Sequence, residues 1–282
     1  MLRALLAALL LLPVPAAADT PLKRLTLRHD LLGFEAVGRL DTGAGFCSGA
    51  LIAPDLVLTA AHCLVDPRSG ERVDPRTLRF RAGLRDGAAV AERAGARAVL
   101  HPDFRATDAN GLRQLRADVA LIELAAPIPS DLAPPFATAA APRAGGQVSV
   151  VSYAADRSEA PAFQRACDVA ATGRGAVVTT CDTHYGSSGA PVFETSSGTP
   201  RIVSLISRGL REDGRTVVYG MEIGPALAET KAALRAGRGV WPESSVAARR
   251  VTVRPAPDGG SARDGAGARA TGGASGARFV RP

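Results

Sequence analysis

Three short segments carry the residue types that a covalent mechanism needs. Thr59-Ala60-Ala61-His62-Cys63 follows a stretch of strand character, Asp118 stands at the head of the apolar run Val119-Ala120-Leu121, and Ser188 lies in the turn Gly186-Ser187-Ser188-Gly189-Ala190-Pro191. Singly, each fits a structural role: a core histidine, a turn-capping carboxylate, an ordinary loop. Together they supply base, orienting acid and nucleophile. A serine hydroxyl attacks poorly at neutral pH unless a base takes its proton. Imidazole suits that task because it titrates between pH 5 and 8. A carboxylate behind the ring fixes its tautomer and stabilises the imidazolium that forms. A glycine-rich turn lets two backbone amides converge where a carbonyl oxygen gains charge. The chemistry implied is acyl transfer with Ser188 as the attacking group.

These residues lie 56 and 70 positions apart, so a folded framework must bring them together. Short strands are expected at 36–41, 47–53, 56–59, 77–82, 94–100 and 119–124, and again at 147–152, 164–170, 176–180, 191–194, 202–207 and 217–222. The marks are continuous apolar runs such as 119–124 and clean alternation such as Leu78-Arg79-Phe80-Arg81, separated by turn signals at Pro54-Asp55, 66–70 and Asp213-Gly214. Twelve strands without βα alternation argue for an all-β fold. They divide six and six around a connection, Ala125 to Gly146, with five prolines and two glycines. Two six-stranded antiparallel barrels account for this, because closure removes exposed edges. A C-terminal helix is expected over 224–236.

The chain has 282 residues, 46% of them hydrophobic, enough for one sizeable core or two small ones. Its one long apolar run is at the N-terminus. Arg3, the apolar stretch from Leu5 to Val14 and Ala16-Ala17-Ala18 form the three parts of a secretory signal. No other run is long enough for a transmembrane segment. Export makes the four cysteines candidates for two disulfides, for which three pairings are possible. The local pairs Cys47/Cys63 and Cys167/Cys181 would each close a loop of about 15 residues, worth about 3 kcal/mol. Zinc is disfavoured, since no two cysteines are two to four residues apart and the four histidines are scattered.

The net charge of +7 is uneven: residues 245–282 carry seven arginines and two aspartates, while 19–244 are near neutral. The organisation read from this is a signal at 1–18, an N-terminal extension or short pro-segment at 19–32 and a first barrel at 33–130. A linker at 131–146, a second barrel at 147–223 and a helix with its docking segment at 224–244 follow. The last part, 245–282, is a basic Arg/Gly/Ala-rich tail expected to be disordered. A neutral body and a tail without interleaved aromatics argue against a specific nucleic-acid partner.

The segments around His62, Asp118 and Ser188 resemble those of the chymotrypsin-like serine peptidases. Gly-Ser-Ser-Gly-Ala-Pro, with Cys181-Asp182-Thr183 before it, is similar to the bacterial branch that includes the staphylococcal glutamyl endopeptidases. The order His, Asp, Ser also separates the chain from subtilisins and from hydrolases with a nucleophile elbow. The resemblance spans roughly residues 33–236. It implies a chymotrypsin-like double barrel acting as a monomeric endopeptidase on peptide or protein substrates, with no cofactor and no metal. His62 would be the general base, Asp118 its orienting acid, Ser188 the nucleophile, and the amides of Gly186 and Ser188 the oxyanion hole. It also implies a Cys47–Cys63 disulfide pinning the histidine loop, and Ser207 to Gly209 as the strand that pairs with substrate.

Departures from the family pattern carry information. Ser187 stands where activated digestive enzymes have an aspartate, and no Ile-Val-Gly-Gly sequence occurs near the N-terminus, so activation through that ion pair is not expected. Arg24 and Arg28 are candidate trimming sites. The substrate pocket is expected to involve Asp182, Thr183, Ile206, Ser207, Arg208, Gly209 and Val217. Asp182, six residues before Ser188, resembles an acidic pocket floor and favours Arg or Lys at P1; Val217 would narrow the slot and favour small or apolar side chains. Ile206, where glutamyl enzymes read the substrate carboxylate with histidine, speaks against glutamate. His184 and Tyr185 are expected to line the cleft. A catalytically inactive double barrel that binds peptides or surfaces is the alternative function.

Overall fold

The computed structural model describes residues 19–106, 111–212 and 215–242. The expected signal segment and basic tail lie outside the described residues. A two-residue strand, β1 (Lys23–Arg24), comes first. The first half then contains β2 (Val37–Asp41), β3 (Phe46–Ala53), β4 (Leu56–Thr59), β5 (Arg79–Ala82), β6 (Ala91–Leu100) and β7 (Ala120–Leu124), with α1 (Leu112–Ala117) between the last two. These six strands close in the order β2-β3-β4-β7-β6-β5. β4 and β7 are neighbours in the barrel wall, buried on nearly every residue, with Leu58 paired to Leu121.

The second half contains β8 (Gln147–Ala154), β9 (Arg157–Gly173), β10 (Ala176–Thr179), β11 (Pro191–Glu194), β12 (Arg201–Leu205), β13 (Arg208–Glu212) and β14 (Arg215–Met221), and ends in α2 (Ile223–Arg235). Its sheet runs β12-β11-β8-β9-β10-β14-β13, with β1 added to β9. This is a half-barrel whose ends are not hydrogen-bonded to each other, so the double-barrel expectation holds with one barrel closed and one left open. Three local expectations also change. β9 has 17 residues rather than seven, pairing along its length with β8, β1 and β10. The segment 217–222 is the second arm of a hairpin whose first arm is β13. Residues 112–117, expected as loop, form α1.

The halves meet through buried polar contacts as well as apolar ones. Tyr153 on β8 is fully buried and donates its phenolic hydrogen to the Leu84 carbonyl at 3.0 Å; burial pushes its pKa far up, so it stays a donor. Phe136 and Phe193 pack with tilted rings, centroids 4.7 Å apart, within the same cluster as the first barrel's Leu51 and Leu58. The N-terminal segment spans both halves. Thr20 and Leu25 hydrogen-bond Ala166 and Pro161 of β9, and Leu25 and Leu31 are buried in the core. Arg24 therefore lies within a paired strand rather than in an open, trimmable loop.

Candidate active site

His62 lies in a 3-10 turn, Ala61–Leu64, that leaves the end of β4. The turn is held by a disulfide from Cys63 to Cys47 on β3, with Cα atoms 6.2 Å apart. Asp118 caps the C-terminus of α1 and is buried just ahead of β7, its N–H bonding the Leu115 carbonyl. Because β4 and β7 pair with Thr59 opposite Ala120, the turn after one meets the residue before the other. The outcome is a two-point grip: His62 Nδ1 lies 2.8 Å from Asp118 Oδ2, and the His62 backbone N–H donates to Oδ1 at 2.9 Å.

A third group joins the carboxylate from the other half. Ser207 Oγ donates to Asp118 Oδ2 at 2.5 Å. Burial by itself would raise the Asp118 pKa, but the neighbouring His62 charge, the ring hydrogen bond, Ser207 and the His62 amide together hold it below the usual carboxylate value. Desolvation pulls His62 down; the charge and hydrogen bond of Asp118 outweigh it and leave the imidazole above its ordinary value, against a smaller opposing push from Arg208. The ring is 42% exposed, so its far nitrogen is open to the cleft. That nitrogen lies 3.9 Å from Cys63 Sγ. Cys47, His62 and Cys63 cluster tightly, yet both sulfurs are spent in the disulfide and offer no thiolate to a metal ion.

Ser188 faces the same crevice as His62, a space of about 350 Å³ also lined by Phe46, Tyr185 and Gly186. Among the described residues no hydrogen bond joins Ser188 Oγ to the ring, a contact that commonly tightens only when substrate is bound. The turn carrying Ser188 is built from its neighbours. Gly189 N–H reaches the Ile206 carbonyl at 2.7 Å, Ser48 N–H reaches the Ser188 carbonyl at 2.8 Å, and Ser187 N–H reaches the His184 carbonyl at 2.9 Å. Gly189 must be glycine: its φ is +77°, and a Cβ would lie 2.2 Å from Thr59 Oγ1. Ser187, fully buried, accepts from the His184 N–H through its hydroxyl. It thus braces the turn internally, where an aspartate would need a cationic partner.

The peptide between Tyr185 and Gly186 has a fixed direction. The Tyr185 carbonyl accepts from Ala155 N–H at 2.7 Å, and in a trans peptide the N–H points opposite to the carbonyl. Gly186 N–H is thereby turned away from Ala155. Neither it nor the Ser188 N–H has an acceptor among the described residues. Two unused amides beside a serine hydroxyl are the kind of donors that an oxyanion requires. The Gly186 carbonyl in turn accepts from Ser48 Oγ at 3.1 Å. Sequence reasoning missed Ser48; the available signal was one polar residue within the otherwise apolar Phe46–Ala53.

The pocket residues are placed less uniformly. Ser207 and Arg208 line a 440 Å³ hollow with His62, Phe104 and Leu115. Ile206 is buried in the core of the second half. Val217 is half-buried and pairs with Leu210 across the hairpin. The expected role of Asp182 as the floor of a partly buried slot is corrected: Asp182 is exposed, its backbone N–H bonded by Gln164 Oε1 at 2.7 Å. Position relative to Ser188 set its neighbourhood, whereas the Cys167–Cys181 bridge and Gln164 set how it faces solvent. Thr183 is half-buried against Gly209. His184 and Tyr185 are both exposed, Tyr185 at 87%, and Tyr185 lines the crevice shared by His62 and Ser188.

Residues 47–200 match the family model described as a trypsin-like peptidase domain. A glutamyl endopeptidase of Bacillus licheniformis is 25% identical over 190 residues, which cover 66% of this chain and 56% of that protein. The chain thus spans little more than half of that relative's length. Among solved structures, a Glu endopeptidase in complex with MPD superposes with a TM-score of 0.63 at 16% identity, covering 78% of this chain and 99% of the other. A thermostable serine protease from an extremophilic microorganism superposes with a TM-score of 0.57 at 20% identity, covering 71% and 98%. These two establish the likeness of fold.

Proposed function

The chain belongs to the trypsin-like peptidase family, and from that premise we propose that it is a secreted serine endopeptidase working through His62, Asp118 and Ser188. The observation that carries this is the Asp118–His62 grip at 2.8 Å, facing a serine flanked by two unused amides. In the reaction, Ser188 Oγ attacks the scissile carbonyl carbon while the far nitrogen of His62 takes the hydroxyl proton. The carbonyl oxygen becomes an oxyanion received by the N–H groups of Gly186 and Ser188. Collapse breaks the C–N bond as His62 returns the proton to the leaving amine. Water then enters, gives a proton to His62, and attacks the acyl-enzyme; collapse breaks the C–Oγ bond as His62 returns that proton to Ser188 Oγ, freeing the acid. Asp118 remains ionised throughout, a role supported by its depressed pKa.

The position of β13 at the end of the sheet order, among the described residues, supports binding of an extended peptide by main-chain pairing. Export is supported by the signal-like segment at 1–18 and by two disulfides, which persist in oxidising compartments. A serine-directed phosphonate tests the class. Labelling at Ser188, abolished in Ser188→Ala, is the expected result; a folded protein that neither labels nor cleaves a mixed peptide library would instead be the inactive, binding form of the fold.

A further inference from the structure

Gly189 N–H, one residue after Ser188, bonds the Ile206 carbonyl and so sets the segment leading into the Ser188 turn beside the segment 206–209, the two walls next to Ser188 that a P1 side chain would meet. In this chain the walls meet. Gly209 has no side chain, yet the space above its Cα is filled: a Cβ built there would lie 2.0 Å from Thr183 Cγ2 and 3.3 Å from Thr183 Cβ. No carboxylate waits behind this contact in an enclosed site, because Asp182 is exposed. Val217 adds apolar bulk on the adjoining strand, and Ile206 is buried.

We propose that the Thr183 methyl group plugs the P1 slot against Gly209, so that the enzyme cleaves after residues with small side chains, glycine, alanine and serine. This rests on the peptidase function proposed above. A long P1 side chain would have to displace Thr183 from Gly209, and one methyl group in such a pocket discriminates by roughly 10- to 200-fold. A basic P1 residue would also lack an enclosed carboxylate to compensate its desolvation.

The test is a fluorogenic peptide library varied at P1, run on the protein and on Thr183→Gly, Thr183→Ser and Thr183→Val, with each sample titrated by the phosphonate. The parent is expected to favour Ala, Gly and Ser over Leu, Phe, Arg and Glu by about tenfold or more in kcat/KM. T183G and T183S, which remove the methyl, gain about tenfold for Leu relative to Ala, whereas T183V, which keeps the bulk and lacks the hydroxyl, retains the parent preference. A parent that labels with phosphonate but prefers Arg, Glu or a large apolar P1 overturns the plug and leaves the peptidase function standing. So does T183V losing the preference that T183S keeps, since selection would then belong to the hydroxyl. A parent that neither labels nor cleaves overturns both.

Discussion

Ser48 Oγ lies 3.1 Å from the carbonyl oxygen of Gly186, joining a strand of the closed barrel to the turn that carries Ser188. The same hydroxyl accepts from Tyr153 N–H at 3.0 Å, and the Ser48 backbone bonds the Ser188 carbonyl through its N–H and Thr59 Oγ1 through its own carbonyl. One small, fully buried residue therefore fixes both sides of the amide pair.

Ser48→Ala should leave the buried Tyr153 N–H without an acceptor and the Gly186 carbonyl without a donor. The expected cost is about 1–3 kcal/mol of stability. Because Ser48 has no place in the substrate groove, kcat should fall while KM stays near its parent value; urea unfolding and steady-state kinetics read the two effects separately.

Gly186→Ala meets two obstacles at once. Its φ is +96°, and a Cβ would lie 2.4 Å from the Phe46 ring. Displacing the peptide moves one oxyanion donor, and loss of such a donor costs about 10²–10³ in kcat. Adding Phe46→Ala removes the clash but not the backbone strain, so recovery should be partial.

The pH profile follows from the charges around the ring. His62 must be neutral to act as base, and its pKa is raised above 6.5, so the acid limb of kcat/KM should fall above pH 6.5. Arg208 lowers that pKa; Arg208→Gln should move the limb to higher pH. The same shifts govern stability. Raised His62 contributes below its unfolded pKa and loses its contribution as pH rises through the folded value. Depressed Asp118 contributes above its unfolded pKa and loses its contribution as pH falls through the folded value. Thermal unfolding followed across pH checks both signs.

The two disulfides should be separable. Replacing Cys47 and Cys63 by serine removes a loop closure with a sequence separation of 16, worth about 3 kcal/mol, and frees the turn that carries His62. Replacing Cys167 and Cys181 removes a closure of 14 at similar cost, but loosens the segment before Thr183 instead. The first pair should lower kcat against every peptide; the second should chiefly change P1 preference. Denaturation with and without reductant, and the P1 library, measure these.

The residues of the proposed triad were legible because each sits beside a strong local signature: the buried run of β7 behind Asp118, the apolar β4 ahead of His62, the glycines around Ser188. The elements missed had weak signatures. β13 reads Arg-Gly-Leu-Arg-Glu, with one apolar side chain, and exists because β14 pairs with it. β9 carries Pro161, which ordinarily argues against a strand. The six residues of α1 are too few for a helical period to emerge. Distance along the chain located Asp182 near the nucleophile but carried no information on the direction of its side chain, and there the expectation failed.

The segment before the first barrel lies as a strand on the second half and sends Leu31 into the core, and the C-terminal end returns to the first barrel where Trp241 pairs with Ala98, so the chain passes between the halves three times. A nick after the exposed Arg143, in the middle crossing, would sever the backbone without releasing a fragment. The cut enzyme should migrate as a single particle under native conditions and separate into two pieces only once denatured, much as a hinged box stays shut when its latch is cut.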